Sequence, residues 1–310
     1  MASVRPQWPD LLDPSFRKIY GDEVKQLPSM VESIFNTDSS SKNIEKDSSA
    51  SGLSKMVEKT ESGPTTFEDE NQGYDVTYTH KTWALGTSVS QEMWEDDQFG
   101  VMRRKPRNMA NAKVRTKEQL GADILNYGFT AGGGGSAPFT AGDAVALFSA
   151  SHPRTDGGAV QSNYATTDLN ENSLEVALVG MRQVVDDKGQ LMLIKPDTLL
   201  VAPAQEKEAR ILLESIQRTG TANNDINPYK GALNLKVWDY LGSAAGGSDT
   251  AWFVLDSSQH MLNWFNRSDR GLEGPDWDFV NKVARWTINC RWSVGFSGWR
   301  GTYGSKGDNS

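Results

Sequence analysis

ARWTINCRWSVGF, residues 284–296, puts an apolar side chain at every even position: Ala284, Trp286, Ile288, Cys290, Trp292, Val294 and Phe296. Arg285, Thr287, Asn289, Arg291, Ser293 and Gly295 fall between them. Side chains of an extended chain alternate between two faces, so this period marks a strand with one buried face. At roughly 3.4 Å per residue the alternation spans about 44 Å, whereas a usual strand has only about 5–6 residues. A strand of that length predicts an elongated, flattened subunit.

Working outward, a second alternation precedes it. Tyr74, Val76 and Tyr78 hold even positions, then Trp83, Leu85, Thr87 and Val89 hold odd ones. The change of phase predicts a bulge or bend between Tyr78 and Trp83. A strand would thus begin in an exposed loop and continue into a sheet. After Pro106, which suits a first helical turn, Met109, Ala112, Thr116, Leu120, Ile124 and Tyr127 recur at steps of three or four. That stripe predicts a helix of about 20 residues, roughly 30 Å long. It ends at the glycine-rich TAGGGGSAP.

Residues 131–172 read as loop with short strands, Ala144–Phe148 among them. Ser173 is the expected N-cap of a helix carrying Leu174, Ala177, Leu178, Met181, Val184 and Val185 on one face. Thr198–Ala202 reads as a buried strand. Pro203 opens a helix bearing Ala209, Leu212, Leu213 and Ile216. Leu235–Leu241 and Ala251–Leu255 are further strand candidates. The pattern is α+β.

The N-terminal part differs. Residues 1–44 are polar and irregular, with Leu11-Leu12, Met30-Val31 and Ile34-Phe35 scattered among Pro6, Pro9, Pro14 and Pro28. They read as an arm lying on some other surface. Residues 37–63, rich in Ser, Lys and Glu, read as a loop or linker.

Bulk properties exclude several classes. The 310 residues carry a formal charge of −8, against the Lys/Arg surplus on which gripping phosphate backbones depends. A container whose wall encloses nucleic acid without attracting it remains open. No run of about 18 apolar residues could span a bilayer. MASVRPQWPDLLDP lacks the apolar core of a secretory leader, so synthesis in a cytosol is expected. The single Cys290 allows neither an intrachain disulfide nor a multi-cysteine zinc site. Of ten tryptophans, Trp238, Trp252, Trp264, Trp277, Trp286, Trp292 and Trp299 crowd the C-terminal part. Both interface contact and core filling are open to them.

No catalytic set emerges. His80, His152 and His260 form no HExxH or HxH pair. Ser151 beside His152 is not a triad, whose members meet from separate segments. There is no G-x-S-x-G elbow. Gly132–Gly135 follows a helix and lacks a Gly-Lys-Ser/Thr, so it reads as a hinge, not a phosphate loop. Glu68-Asp69-Glu70 and Glu95-Asp96-Asp97 lack the ligand spacing of a calcium loop and read as solvated faces. The basic run Arg103-Arg104-Lys105-Arg107 could meet DNA or a neighbouring subunit's carboxylates, and the second suits an acidic protein that assembles. No catalytic residue, cofactor site or metal ligand is assigned.

Particular wording adds to the element order. LFSASHPRTDGG at 147–158, SNY at 162–164, TANNDINPYKG at 221–231, WFVLD at 252–256, LNWF at 262–265 and GWRGTYGSKG at 298–307 resemble stretches in the major head subunits of Mu-like tailed phages. The order of elements resembles the Johnson (Hong Kong phage capsid) fold. That resemblance implies an N-terminal arm at 1–44 and an extended loop at 45–80. It implies a peripheral domain with a spine helix near 107–127 at 81–172, an axial domain at 173–281, and a return strand to the peripheral domain with a C-terminal tail at 282–310. It implies a non-enzymatic major capsid protein that forms hexamers and pentamers of an icosahedral shell around double-stranded DNA. Such a protein is part of the virion and is assembled in the bacterial host cytoplasm, without a membrane. With no room for a fused scaffold, a separate scaffolding protein is implied, alongside portal and decoration proteins. Inter-subunit contact candidates are Lys55, Glu58, Lys59, Arg103, Arg104, Lys105 and Arg107. Lys46, Lys55 and Lys59 lie in the extended loop, but nothing singles out one for a Lys–Asn crosslink, and none is expected. An encapsulin-like compartment around a protein cargo and a β-rich hydrolase stay open as alternatives. Removal of residues 1–60 is expected to leave a soluble subunit that closes no shells.

Overall fold

The computed structural model describes residues 8–70, 72–96, 100–136, 139–218, 225–278 and 280–307. The TANN of TANNDINPYKG and Asp97 of the second acidic run lie outside them. In chain order the elements are α1 (Trp8–Gln26), α2 (Met30–Ile34), β1 (Asn36–Ser39), β2 (Ile44–Ala50), β3 (Gln72–Thr79), β4 (Lys81–Ser90), α3 (Gln91–Glu95) and α4 (Arg104–Asn126). They continue as β5 (Tyr164–Ala165), α5 (Glu171–Arg182), β6 (Thr198–Val201), α6 (Glu206–Glu214), β7 (Asn234–Val237), β8 (Trp252–Leu255), β9 (Leu262–Asp278), β10 (Val283–Phe296) and β11 (Thr302–Ser305). A four-stranded sheet runs β1-β9-β10-β4, a five-stranded sheet β5-β11-β8-β6-β7, and β2-β3 form a hairpin of their own.

The alternating stretch is β10, antiparallel to β4 from Val283↔Ser90 to Trp292↔Lys81. Its even residues are buried throughout. Beyond Trp292 the odd residues are buried too, Ser293 among them, and a Cβ on Gly295 would lie 2.4 Å from the Phe139 ring. One end of the strand therefore has a single covered face and the other has two.

Its other neighbour, the 17-residue β9, has no clear signature in the sequence. Gly271, Gly274 and Pro275 interrupt it, and its pairing with β10 shifts register three times, after Arg285, Ile288 and Arg291. Each bulge resets the period of two. The expected boundary at 281/282 consequently fails, because it cuts one hairpin in half: β9 belongs with β10 in the four-stranded sheet.

The N-terminal segment is also more regular than expected. α1 carries Phe16, Tyr20 and Val24 at four-residue steps, and these pack with Met102, Met109, Leu272 and Trp286. Phe16 meets the Trp286 ring at 4.8 Å, and Arg17 donates to the carbonyls of Leu272 and Gly274. Pro9 and Pro14 disguise this helix in the sequence. α2 adds Val31 and Ile34, with Phe35 beside it, to the larger core around the five-stranded sheet. Removing residues 1–60 would take Phe16 and Tyr20 from the smaller core and Val31, Ile34 and Phe35 from the larger one, so these residues pack within their own subunit as well.

Smaller corrections have local causes. Ala144–Phe148 forms turns, not a strand, with Ala144 at φ 58° and the Val145 N–H donating to Asp143. The cap of α5 is Asn170, with Ser173 completing a reciprocal capping box at N3. β7 stops at Val237 and residues Asp239–Leu241 form a 3-10 turn. Ile216 lies beyond the end of α6 and is exposed. Spine helix α4 runs as expected, with Met109, Leu120 and Ile124 buried. Among the described residues no helix is long and apolar enough to cross a membrane.

Candidate assembly site

β2 and β3 pair antiparallel from Ile44↔Thr79 to Ala50↔Gln72, and the chain between them bears no regular structure from 51 to 70. This loop displays Leu53, Met56, Val57 and Phe67, with Met56 and Phe67 101% and 91% exposed. Apolar side chains left in water forgo about 25 cal/mol per Å² of burial. Lys55, Glu58 and Lys59 are exposed on the same stretch, and none has an ion-pair partner among the described residues. Glu68 is not idle, as its acidic run had suggested. It accepts from the Ser54 N–H at 3.0 Å and from Lys188 Nζ at 3.3 Å. Hydrogen bonds from Ser54, then Lys188, hold its carboxyl below the usual range. Lys188 also donates to the Asp69 carbonyl, so the loop is tied at one point to its own subunit.

The basic run divides. Lys105 donates to the Ser88 carbonyl, and Arg107 approaches Glu23 of α1 at 3.7 Å. Both are used within the subunit. Arg103 and Arg104 are exposed and have no ion pair among the described residues. The seven candidates thus form two exposed groups and one internal pair, not one site.

A third constellation went unnoticed in the sequence, although its wording had stood out. His152 of the SHPR segment, Asn163 of SNY and Trp299 of GWRG meet in the interior. His152 Nδ1 lies 2.9 Å from Asp143 and Nε2 lies 3.0 Å from the Asn163 amide oxygen. The Asn163 amide nitrogen donates to the Leu147 carbonyl at 2.8 Å. With both ring nitrogens occupied and the ring fully buried, Ser151 has no base. The arrangement holds loops together and performs no visible chemistry. Cys290, the lone thiol, is buried beside Asp269, and burial, then that carboxylate, pushes it up to about 12. Among the described residues no group of three or more His, Cys, Asp or Glu is placed to hold a metal ion.

A family model described as phage capsid protein matches residues 73–304. No curated protein matches the chain. Among solved structures, the capsid of the cyanophage P-SCSP1u is similar at a TM-score of 0.58 and 12% identity, over 91% of this chain and 89% of that one. The bacteriophage JBD30 capsid gives 0.56 and 16%, over 78% of this chain and 100% of that one. A structure from Mycobacterium phage Ogopogo gives 0.52 and 14%, over 89% and 91%. Identities this low speak for the fold, here the α+β Johnson type. The family match runs from β3 through the spine helix to β11, three-quarters of the chain, and so the chain belongs to the phage capsid protein family, as a major capsid protein that forms the phage head shell of the virion.

Proposed function

We propose that this subunit closes the shell by quasi-equivalent assembly, as hexamers and pentamers of an icosahedral head around the double-stranded DNA of a tailed phage. The observation that carries the reading is the loop at 51–70, whose Met56 and Phe67 stand bare and whose Leu53 and Val57 are only partly covered. In this reading residues 45–80 reach across a neighbour, which supplies the missing surface. Residues 1–44 are the N-terminal arm, now an arm docked on its own subunit through α1. The four-stranded sheet with α4 is the peripheral domain, and residues 173–261 with the five-stranded sheet are the axial domain.

Lys55, Glu58, Lys59, Arg103 and Arg104 are the charged groups offered to neighbours, while Lys105 and Arg107 serve the subunit's own packing. The role is structural, without catalysis. A net charge of −8 leaves the enclosed DNA free of a strongly attracting wall. A separate scaffolding protein, a portal and assembly in the host cytoplasm complete the reading. One related capsid, that of JBD30, is decorated with minor capsid protein trimers, and a decoration partner of that kind is included here.

The test replaces residues 53–67 with a short Gly-Ser turn and co-expresses the variant with the scaffolding candidate. Electron microscopy should show closed shells for the parent and only free subunits or capsomers for the variant, with thermal stability unchanged. Normal closed shells from the variant would overturn the reading.

A further inference from the structure

The phase change anticipated between Tyr78 and Trp83 is a crossing at His80, the one residue between β3 and β4. There the chain passes from the two-stranded hairpin into the four-stranded sheet. The companion crossing begins at Ser40, between β1 and β2. The Ser40 N–H still donates to the Asn266 carbonyl of β9 at 3.0 Å, but the β2–β3 ladder stops at Ile44↔Thr79, so this backbone tie holds the β1–β2 side and leaves the His80 side to side chains.

His80 is buried; its Nε2 lies 3.1 Å from the Ser40 hydroxyl, and its Nδ1 lies 3.0 Å from the Ser293 hydroxyl of β10. The roles follow from the surroundings. Ser40 Oγ donates to Glu45 at 2.6 Å and accepts from the Lys42 N–H at 3.2 Å. Its proton is therefore committed, and His80 Nε2–H must donate to it. Nδ1 is left to accept from Ser293. A neutral imidazole in one tautomer satisfies both. Burial, then Arg267 of β9, keeps the ring neutral; Glu45 of β2 pulls the other way and Arg291 of β10 reinforces Arg267.

We propose that His80 is a latch: it fastens both strands of the extended loop to β10 and so sets the angle at which the loop leaves the subunit. Other ties hold one side only. Tyr78 donates or accepts at Ser297 over 2.7 Å and anchors β3, while Arg267 donates to the Lys42 carbonyl and anchors the β1–β2 link. His80 joins the two crossings to each other and to the sheet. It is a positioning residue. Its value to assembly rests on the loop reaching a neighbour, but the latch itself is a property of one subunit.

The test measures the angle in the unassembled subunit. Spin labels at Lys55→Cys and Thr287→Cys report the loop-to-sheet distance by pulsed electron resonance, in a Lys188→Ala background that frees the distal tie. The intact latch should give one narrow distance distribution. His80→Ala and Ser293→Ala should each broaden it about twofold or more, with partial recovery in His80→Gln. If His80→Ala fails to fold, Ser293→Ala decides. Widths unchanged from the parent, even with a lower melting temperature, would overturn the latch. Broadened distances together with normal shells would leave the latch standing and sink only the reading that the loop bridges subunits.

Discussion

His152 lies flat on Trp299, with ring centroids 4.4 Å apart and planes 12° from parallel. The indole covers one face of an imidazole whose edges meet Asp143 and Asn163. Asn163 cannot turn its amide around, because its oxygen also accepts from the Ser149 N–H at 2.9 Å and its nitrogen faces the Leu147 carbonyl. The imidazole edge therefore donates to a fixed acceptor. His152→Ala empties a fully buried ring site and removes its contacts with Asp143, Asn163 and Trp299, and should cost about 3 kcal/mol. Urea denaturation measures it; a loss under about 1 kcal/mol would mean that water replaces the ring without penalty.

The α5 capping box offers a smaller, cleaner measurement. Asn170 accepts from the Ser173 N–H while the Ser173 hydroxyl accepts from the Asn170 N–H, both at 2.9 Å. Asn170→Ala should cost about 1 kcal/mol. The double variant with Ser173→Ala should cost less than the sum of the single changes, because the two bonds brace one turn.

Acid should weaken the subunit through its buried histidines. Burial lowers both His80 and His260 from their ordinary value. A histidine whose folded pKa lies below its unfolded one contributes stability that is present above about 6.5 and declines as the pH falls from there towards the folded value. Unfolding free energy should therefore drop between neutral pH and pH 5. The drop should be shallower in His80→Gln.

Cys290 should be inert. A thiol raised to about 12 by burial presents almost no thiolate at neutral pH. Ellman's reagent should leave the native subunit unmodified and react with one thiol per chain in denaturant.

Surface substitutions separate assembly from folding. Phe67→Ser and the pair Arg103→Glu with Arg104→Glu alter exposed side chains with no ion pair among the described residues, so the subunit's stability should move by no more than about 0.5 kcal/mol. Shell yield, measured by sedimentation, should fall severalfold in each. Arg107→Glu should instead lower stability modestly, since it places a second carboxylate beside Glu23.

The long strand, the spine helix and the bend before Trp83 were legible because each repeats a simple period over many residues. β9 was not, because its bulges with β10 reset the alternation and its Gly and Pro residues imitate turns. α1 was not, because prolines punctuate a stripe that Phe16, Tyr20 and Val24 nevertheless maintain. Motif wording marked the His152–Trp299 region without revealing its purpose, which is contact between distant segments. Gly301 in that wording sits at φ 80°, where a Cβ would lie 2.7 Å from the His260 nitrogen. The basic run misled, because neighbours in sequence on α4 point to different surroundings: Arg107 to α1, Lys105 to β4.

The two apolar cores do not merge. Along β10 the smaller one ends at Ile288 and the larger one begins at Cys290, at one of the register shifts. Between them Lys113 of α4 grips Asp269 of β9, both contacts at 2.6 Å. α4 and β10 run through both halves, so the two oily interiors share a beam and a strand while a single charged clasp marks where one gives way to the other.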